Sequence, residues 1–166
     1  MEYQHITHQD FGPFIQKDSQ ILILGSLPSI GSRKAKFYYA YKTNRFFKVL
    51  AILFNEEEPI SVDERKDFLK NHRIALFDVI QECDIKGSSD SSIRNVIVND
   101  IPSLIKGTNI KQVFTTGKTG TDLYHQYIGK DNIYLPSPSA ANASMSLDDL
   151  VREYRIILRF NSHNNK

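Results

Sequence analysis

The 166-residue sequence has one cysteine, Cys83, so it cannot form an intramolecular disulfide and has no second thiol for a zinc knuckle. We read Cys83 as a plain buried thiol in a reducing compartment. No run approaches the roughly 18 apolar residues of a membrane span. The opening MEYQHITHQDFGPF also lacks the basic start and apolar stretch of a signal peptide. A soluble, cytoplasmic protein is expected. Acidic residues are missing between Ser19 and Asn55, where Arg33, Lys34, Lys36, Lys42, Arg45 and Lys48 supply six positive charges. That strip is either a contact surface for a polyanion backbone or an ordinary solvated face, and a net charge of +2 is too mild to decide between them.

Missing motifs narrow the chemistry further. Thr116-Gly117-Lys118-Thr119 invites a phosphate-loop reading, but that motif needs a glycine where Gln112 stands, inside a predicted strand. The histidines His5, His8, His72, His125 and His163 form no helical pair joined to a carboxylate. We therefore expect no metal site and read the histidines as surface residues. Glycosidase-type paired carboxylates are also hard to place, because the acids cluster in predicted helices and in Glu56-Glu57-Glu58. Asp78 is the exception: it either positions a group at a site or is a turn former.

With 40% hydrophobic residues over this length, one domain spanning residues 1–166 can bury a core. Ile21–Leu24, Ile74–Phe77, Val113–Thr115 and Ile133–Leu135 are short apolar runs followed by small or turn residues, and they predict buried strands. Helical patterns run from Asn44 to Phe54, Ser61 to Asn71, Asp100 to Lys106, Lys118 to Ile128 and Ser146 to about Phe160. Ser61 with Glu64 forms a capping box, Pro102 follows Asp100, and Asp148 and Asp149 follow Ser146. In the last helix Leu147, Leu150, Val151, Tyr154, Ile157 and Leu158 share one stripe. The alternation predicts an α/β fold, a three-layer αβα sandwich around a mainly parallel four-stranded sheet. Gly87-Ser88-Ser89-Asp90-Ser91-Ser92 is read as a surface loop.

Ligands of open parallel sheets bind beyond the carboxyl ends of the strands. This selects 26–32, Asp78, 116–119 and 136–144, most of them dense in Ser, Thr, Gly and Pro, which let a bulky ligand approach the backbone. Just after the first of these loops comes an aromatic and basic stretch, residues 37–47 (FYYAYKTNRFF). Phe46, Phe47, Leu50 and Leu53 have helix-core spacing, and Asn44 taken alone reads as an N-cap. Phe37, Tyr38, Tyr39 and Tyr41 precede the helix, where an aromatic ring can stack on a base.

Taken together, GSLPSIGS, FYYAYKTNRFFKVL and LPSPSAANASMSLDDL resemble the uracil-DNA glycosylase superfamily, specifically its mismatch-specific and hypoxanthine (deoxyinosine) branches. LFDVIQEC at 76–83, TTGK at 115–118 and the closing helix are lesser echoes. The resemblance implies a monofunctional enzyme with no metal or cofactor, expected to act as a monomer. It would flip a deaminated base such as hypoxanthine or uracil out of DNA and hydrolyse its N-glycosidic bond. By the same resemblance Asn44, within Lys42-Thr43-Asn44-Arg45-Phe46-Phe47, is catalytic. Gly25, Ser26, Leu27, Pro28, Tyr39 and Thr116 would meet the base, with Tyr39 stacking on it. Ser29, Ser32, Arg45, Lys118, Ser137, Ser139 and Asn142 would hold the DNA backbone, and residues near Ala140-Ala141-Asn142 would fill the gap.

The chain departs from the family pattern at several positions. Leu27 stands where several branches carry a catalytic Asp or Asn, so general-base work from that position is excluded. Tyr41-Lys42 replaces His-Pro, Phe46-Phe47 replaces Phe-Trp, and Thr116 replaces an Asn that helps to read the base edge. Two other readings stay open: a catalytically silent nucleic-acid-binding domain of the same fold, and an enzyme acting on free nucleosides or nucleotides.

Overall fold

The computed structural model describes residues 2–8, 11–27 and 29–161. Ile21, Leu22, Ile23 and Leu24 lose all solvent contact, as a strand covered on both faces must. They form β2 (Ile21–Gly25), which pairs in parallel with β3 (Ile74–Asp78) on one side and β6 (Gln112–Thr116) on the other. A fourth strand, β7 (Ile133–Leu135), pairs in parallel with β6, giving the order β3-β2-β6-β7. Each expected strand is present, and the sheet is the expected parallel four-stranded one.

The register fixes where the loops emerge. Gly25 is opposite Asp78, Leu24 is opposite Thr115, and Thr116 is opposite Leu135. The segments after β2, β3, β6 and β7 therefore leave the same edge of the sheet.

The helices are α1 (Ile30–Ala35), α2 (Phe46–Phe54), α3 (Val62–Asn71), α4 (Ile101–Ile105), α5 (Lys118–Tyr127) and α6 (Leu147–Tyr154). The expected capping box of Ser61 with Glu64 opens α3, and Ser146 with Asp149 forms a second one at α6. Asp100 caps α4 by accepting from the Ser103 amide. The last helical pattern is not one α-helix, because it tightens into a 3₁₀ segment over Arg155–Arg159. At three residues per turn, Ile157 stays on the buried stripe with Tyr154 while Leu158 turns outward.

A second, antiparallel sheet, with order β1-β4-β5, is formed by β1 (Gln4–Thr7), β4 (Ile80–Ile85) and β5 (Arg94–Val98). Sequence patterning does not predict it. Gln81, Glu82 and Asp84 interrupt the apolar pattern of β4, and two register shifts against β5 break the period of two. Ile80, Cys83 and Ile85 form a small core under this sheet, and Leu27 packs on it. Cys83 is buried, as expected.

Two of the histidines correct the surface reading: His72 is 2% exposed, and the His8 side chain is 1% exposed. Each owes its burial to aromatic neighbours and a carboxylate. His72 stacks on Phe54 and bonds Glu56, whereas His8 lies against Phe11 and Phe77 and bonds Asp78. No helix among the described residues is long and apolar enough to cross a membrane.

Candidate active site

The aligned strand ends open into one cleft of about 720 Å³. Of the residues expected from sequence, Gly25, Ser26, Leu27, Ser29, Ser32, Tyr39, Asn44, Thr116, Lys118, Ser137, Ser139 and Asn142 all line it. Pro28 lies outside the described residues. Arg45 is the one that turns elsewhere.

Arg45 extends away from the cleft and binds the loop after β7. Its Nε donates to the Pro138 carbonyl at 3.4 Å, and one terminal nitrogen donates to Ser139 and Asn142 at 2.9 and 3.1 Å. The other terminal nitrogen donates to Met145 O, and the Arg45 amide also reaches Pro138. A planar fork suits such carbonyls. In this structure the guanidinium therefore supports the loop after β7.

The loop is also braced from within. Ser137 Oγ accepts from the Ser139 amide, Ser139 Oγ accepts from the Ala141 amide, and the Asn142 side chain donates to Ser137 O. Beneath it the buried Tyr154 hydroxyl donates to Pro136 O at 2.6 Å. Ala140 and Ala141 project outward and are exposed.

Across the cleft, Ser29 caps α1 by accepting from the Ser32 amide. Ser32 is buried, and its hydroxyl accepts from Ser29 Oγ and the Ala40 amide, so it braces the chain from within the wall. Gly120 of α5 lets that helix sit against the first loop: a Cβ there would stand 3.3 Å from Ser26 N.

Tyr39 adopts a left-handed conformation at φ 55°, which is rare for a bulky residue and is a strain that recurs at functional positions. Its ring stacks on Phe46 at 3.9 Å and 14°, leaving its opposite face free of that partner. The hydroxyl lies 3.5 Å from Thr116 Oγ1, which in turn donates to Leu24 O. Burial pushes the Tyr39 phenol far above its ordinary pKa, so it stays protonated. Asn44 Oδ1 accepts from the Phe46 amide at 2.9 Å at the start of α2. The capping role and the cleft position therefore coexist.

Several lining residues were not chosen from sequence. Tyr41 and Tyr134 flank the mouth, 49% and 52% exposed. Gly87, Ser88 and Asp90 bring the serine-rich loop onto the wall, and Asp90 accepts from Thr119. Arg33 also lines the cleft, with its Nε buried and unpartnered among the described residues. The free aromatic residues before α2 were the one available signal, and they pointed to Tyr41.

The floor carries Asp78. Its Oδ2 accepts from His8 Nε2 at 2.8 Å, with the two side chains 6% and 1% exposed. Burial holds the Asp78 carboxyl above its ordinary range, and the His8 imidazole offsets only part of that rise.

Comparison with known proteins fits this arrangement. A model of the uracil DNA glycosylase superfamily matches residues 13–159. The chain belongs to that superfamily. It is similar to a Methanosarcina barkeri protein named hypoxanthine DNA glycosylase, 32% identical over 139 residues, which cover 81% of this chain and 87% of that one. A Methanosarcina acetivorans protein of the same name is 29% identical over 141 residues, covering 82% and 89%. Among solved structures, the solution NMR structure of an M. acetivorans protein with a uracil DNA glycosylase designation superposes with a TM-score of 0.74 at 27% identity. That match covers 89% of this chain and 96% of the other. The superfamily match begins at residue 13, so His8 lies upstream of it.

Proposed function

We propose that the protein is a monofunctional DNA N-glycosylase that extracts a deaminated base, hypoxanthine or uracil, and hydrolyses the bond to its sugar. What carries this reading is that the loops after β2, β6 and β7, read from sequence as base-facing and backbone-facing, line one cleft together with Tyr39 and Asn44. Membership of the superfamily and likeness to proteins named hypoxanthine DNA glycosylase support it.

In this reading the Tyr39 ring face opposite Phe46 receives the extruded base. Gly25, Ser26, Leu27 and Thr116 wall the base pocket, and Asn44 orients the attacking water. Lys118, Ser29, Ser137, Ser139 and Asn142 face the DNA backbone, with Lys34, Lys36 and Lys42 adding long-range attraction. Extrusion costs a few kcal/mol and is easiest at a mispaired base, which contributes selectivity. The departing base gains negative charge, which donors on the loops stabilise. The protein is expected to act as a single-domain monomer.

The test uses labelled duplexes containing hypoxanthine, uracil or xanthine, incubated with protein and then treated with alkali to cleave abasic sites. Scission of at least one damaged duplex is expected, and Asn44→Ala should slow it by roughly 10²–10³-fold, as removing a preorganised polar group does. No scission of any duplex refutes the glycosylase reading in favour of a silent DNA-binding domain. Undiminished scission by Asn44→Ala refutes the role of Asn44.

A further inference from the structure

The glycosylase reading leaves one chemical task without a residue. Leu27 has no proton acceptor, and Asn44 is a neutral amide whose oxygen already accepts from the Phe46 amide. Neither can take the proton that an attacking water must lose. The described carboxylates lining the cleft are Asp78 and Asp90. Asp90 is exposed and bonded to a threonine hydroxyl. Asp78 is buried and held by an imidazole at 2.8 Å.

That imidazole is itself fixed. His8 is walled by the rings of Phe11, Tyr38 and Phe77. Its Nδ1 is buried with no hydrogen-bond partner among the described residues, so Asp78 is its polar partner. The second carboxylate oxygen, Oδ1, lies against Gly25, where a Cβ would stand 2.7 Å from it and 3.8 Å from the Tyr39 hydroxyl. Oδ2 is thus spent on His8, and Oδ1 belongs to the wall formed by the first loop.

Resting on the glycosylase reading, the geometry points to Asp78 as the residue that accepts the proton of the attacking water, with His8 as the positioning residue that holds its carboxylate. Water oxygen bonds to C1′ of the deoxyribose as the C1′–N bond breaks, and that electron pair leaves with the base. One water proton passes to Asp78 and from there to the released base, directly or through solvent, leaving a hydroxyl on C1′. The Asp78 charge also faces the cationic sugar of the transition state. The titratable groups that act on Asp78 are His8, next to β1, and the Tyr38 and Tyr39 phenols from the segment after α1, both held protonated by burial. Because burial raises the Asp78 carboxyl and His8 lowers it, removing His8 shifts the loss of the carboxylate to higher pH.

The experiment is single-turnover base release from hypoxanthine and uracil duplexes as a function of pH, with duplex affinity measured alongside. The proteins are the wild type, Asp78→Asn, His8→Phe and His8→Gln. Asp78→Asn is expected to slow release by about 10²-fold or more while duplex affinity changes little. His8→Phe should move the acid limb of the rate profile to higher pH, and His8→Gln, whose amide can still donate to Asp78, should recover most of the rate at neutral pH. A structural role alone would move none of these limbs.

An Asp78→Asn rate within about threefold of wild type overturns the inference, given the 10²-fold or larger effect expected of a general base. So does an unmoved acid limb in His8→Phe, and that comparison decides the matter if Asp78→Asn does not fold. A wild type that releases no base from any duplex overturns the proposed function and this inference together. An active wild type with unaffected variants overturns the inference alone.

Discussion

Arg45 separates two roles for a cation near DNA: contacting phosphate, or holding the loop that does. In the structure its guanidinium donates to the carbonyls of Pro138, Ser139, Asn142 and Met145, so the second role is expected. A hydrogen bond from a charged donor is worth about 1.5–3 kcal/mol. Arg45 is half-buried, however, and water can replace part of what is lost. We expect Arg45→Gln to cost about 2–3 kcal/mol net. For a chain of this size that lowers the Tm by roughly 5–10 °C in a thermal unfolding experiment. Arg45→Lys should recover little, because one ammonium cannot span carbonyls that a planar fork reaches together.

DNA binding supplies the discriminating measurement. Each phosphate contact on duplex DNA adds about 0.9 to the steepness with which log K falls against log salt. Arg45→Gln should weaken duplex binding at every salt concentration and leave that slope unchanged, since a slackened loop loses complementarity rather than a charge contact. Lys118→Gln should make the slope shallower by about 0.9, with Tm unaltered. An Arg45→Gln slope that is shallower by the same amount, with an unchanged Tm, would refute the loop-holding argument.

Other consequences can be checked more directly. Tyr154→Phe removes a buried hydroxyl that donates to Pro136 O, and should cost about 1–3 kcal/mol in urea unfolding because the carbonyl is left unsatisfied. Gly25→Ala would bring a Cβ to 2.7 Å from Asp78 Oδ1, and should cost about 1–3 kcal/mol. In an Asp78→Ala background that penalty should vanish, and strict additivity of the two changes would contradict the contact. Backbone amides hold the capping carboxylates Glu64 and Asp149 below their ordinary pKa. Their stabilisation is therefore complete above the unfolded carboxylate range and is lost as pH falls through the folded values. Glu64→Gln with Asp149→Asn should flatten that part of the Tm-versus-pH curve.

Local pattern carried most of the parallel sheet. Ile21–Leu24 announces itself because a strand covered on both faces must be apolar throughout, and Ser61 with Glu64 marks a helix start within a few residues. The second sheet was illegible for the converse reason: β4 places Gln81, Glu82 and Asp84 in a strand with two register shifts against β5, and its other partner, β1, lies far off in the chain. Phe37 and Tyr38 belong to the core, whereas Tyr41 is exposed, and no spacing rule separates rings that enter the core from rings that line a cleft. The loop contacts of Arg45 were illegible because its partners lie more than ninety positions away, in carbonyls that no side-chain pattern encodes.

The site itself was legible wherever strand-end topology sufficed. It became obscure where one residue's meaning depended on another's position. Asp78 was visible as a strand-end acid, yet turn former and site residue remained equal readings until the register placed it opposite Gly25. Its partner His8 comes from 70 positions upstream and arrives through the antiparallel pairing of β1 with β4, the sheet that patterning missed. The missed sheet and the missed dyad are therefore one omission. β4 leaves β3 after Asp78 and Val79, and β1 runs back along it, which carries His8 to the end of β3. Gly25 completes the arrangement, since any side chain there would enter the space that Asp78 Oδ1 occupies. A small residue in the first loop and an acid at the end of the third strand are thus one structural choice.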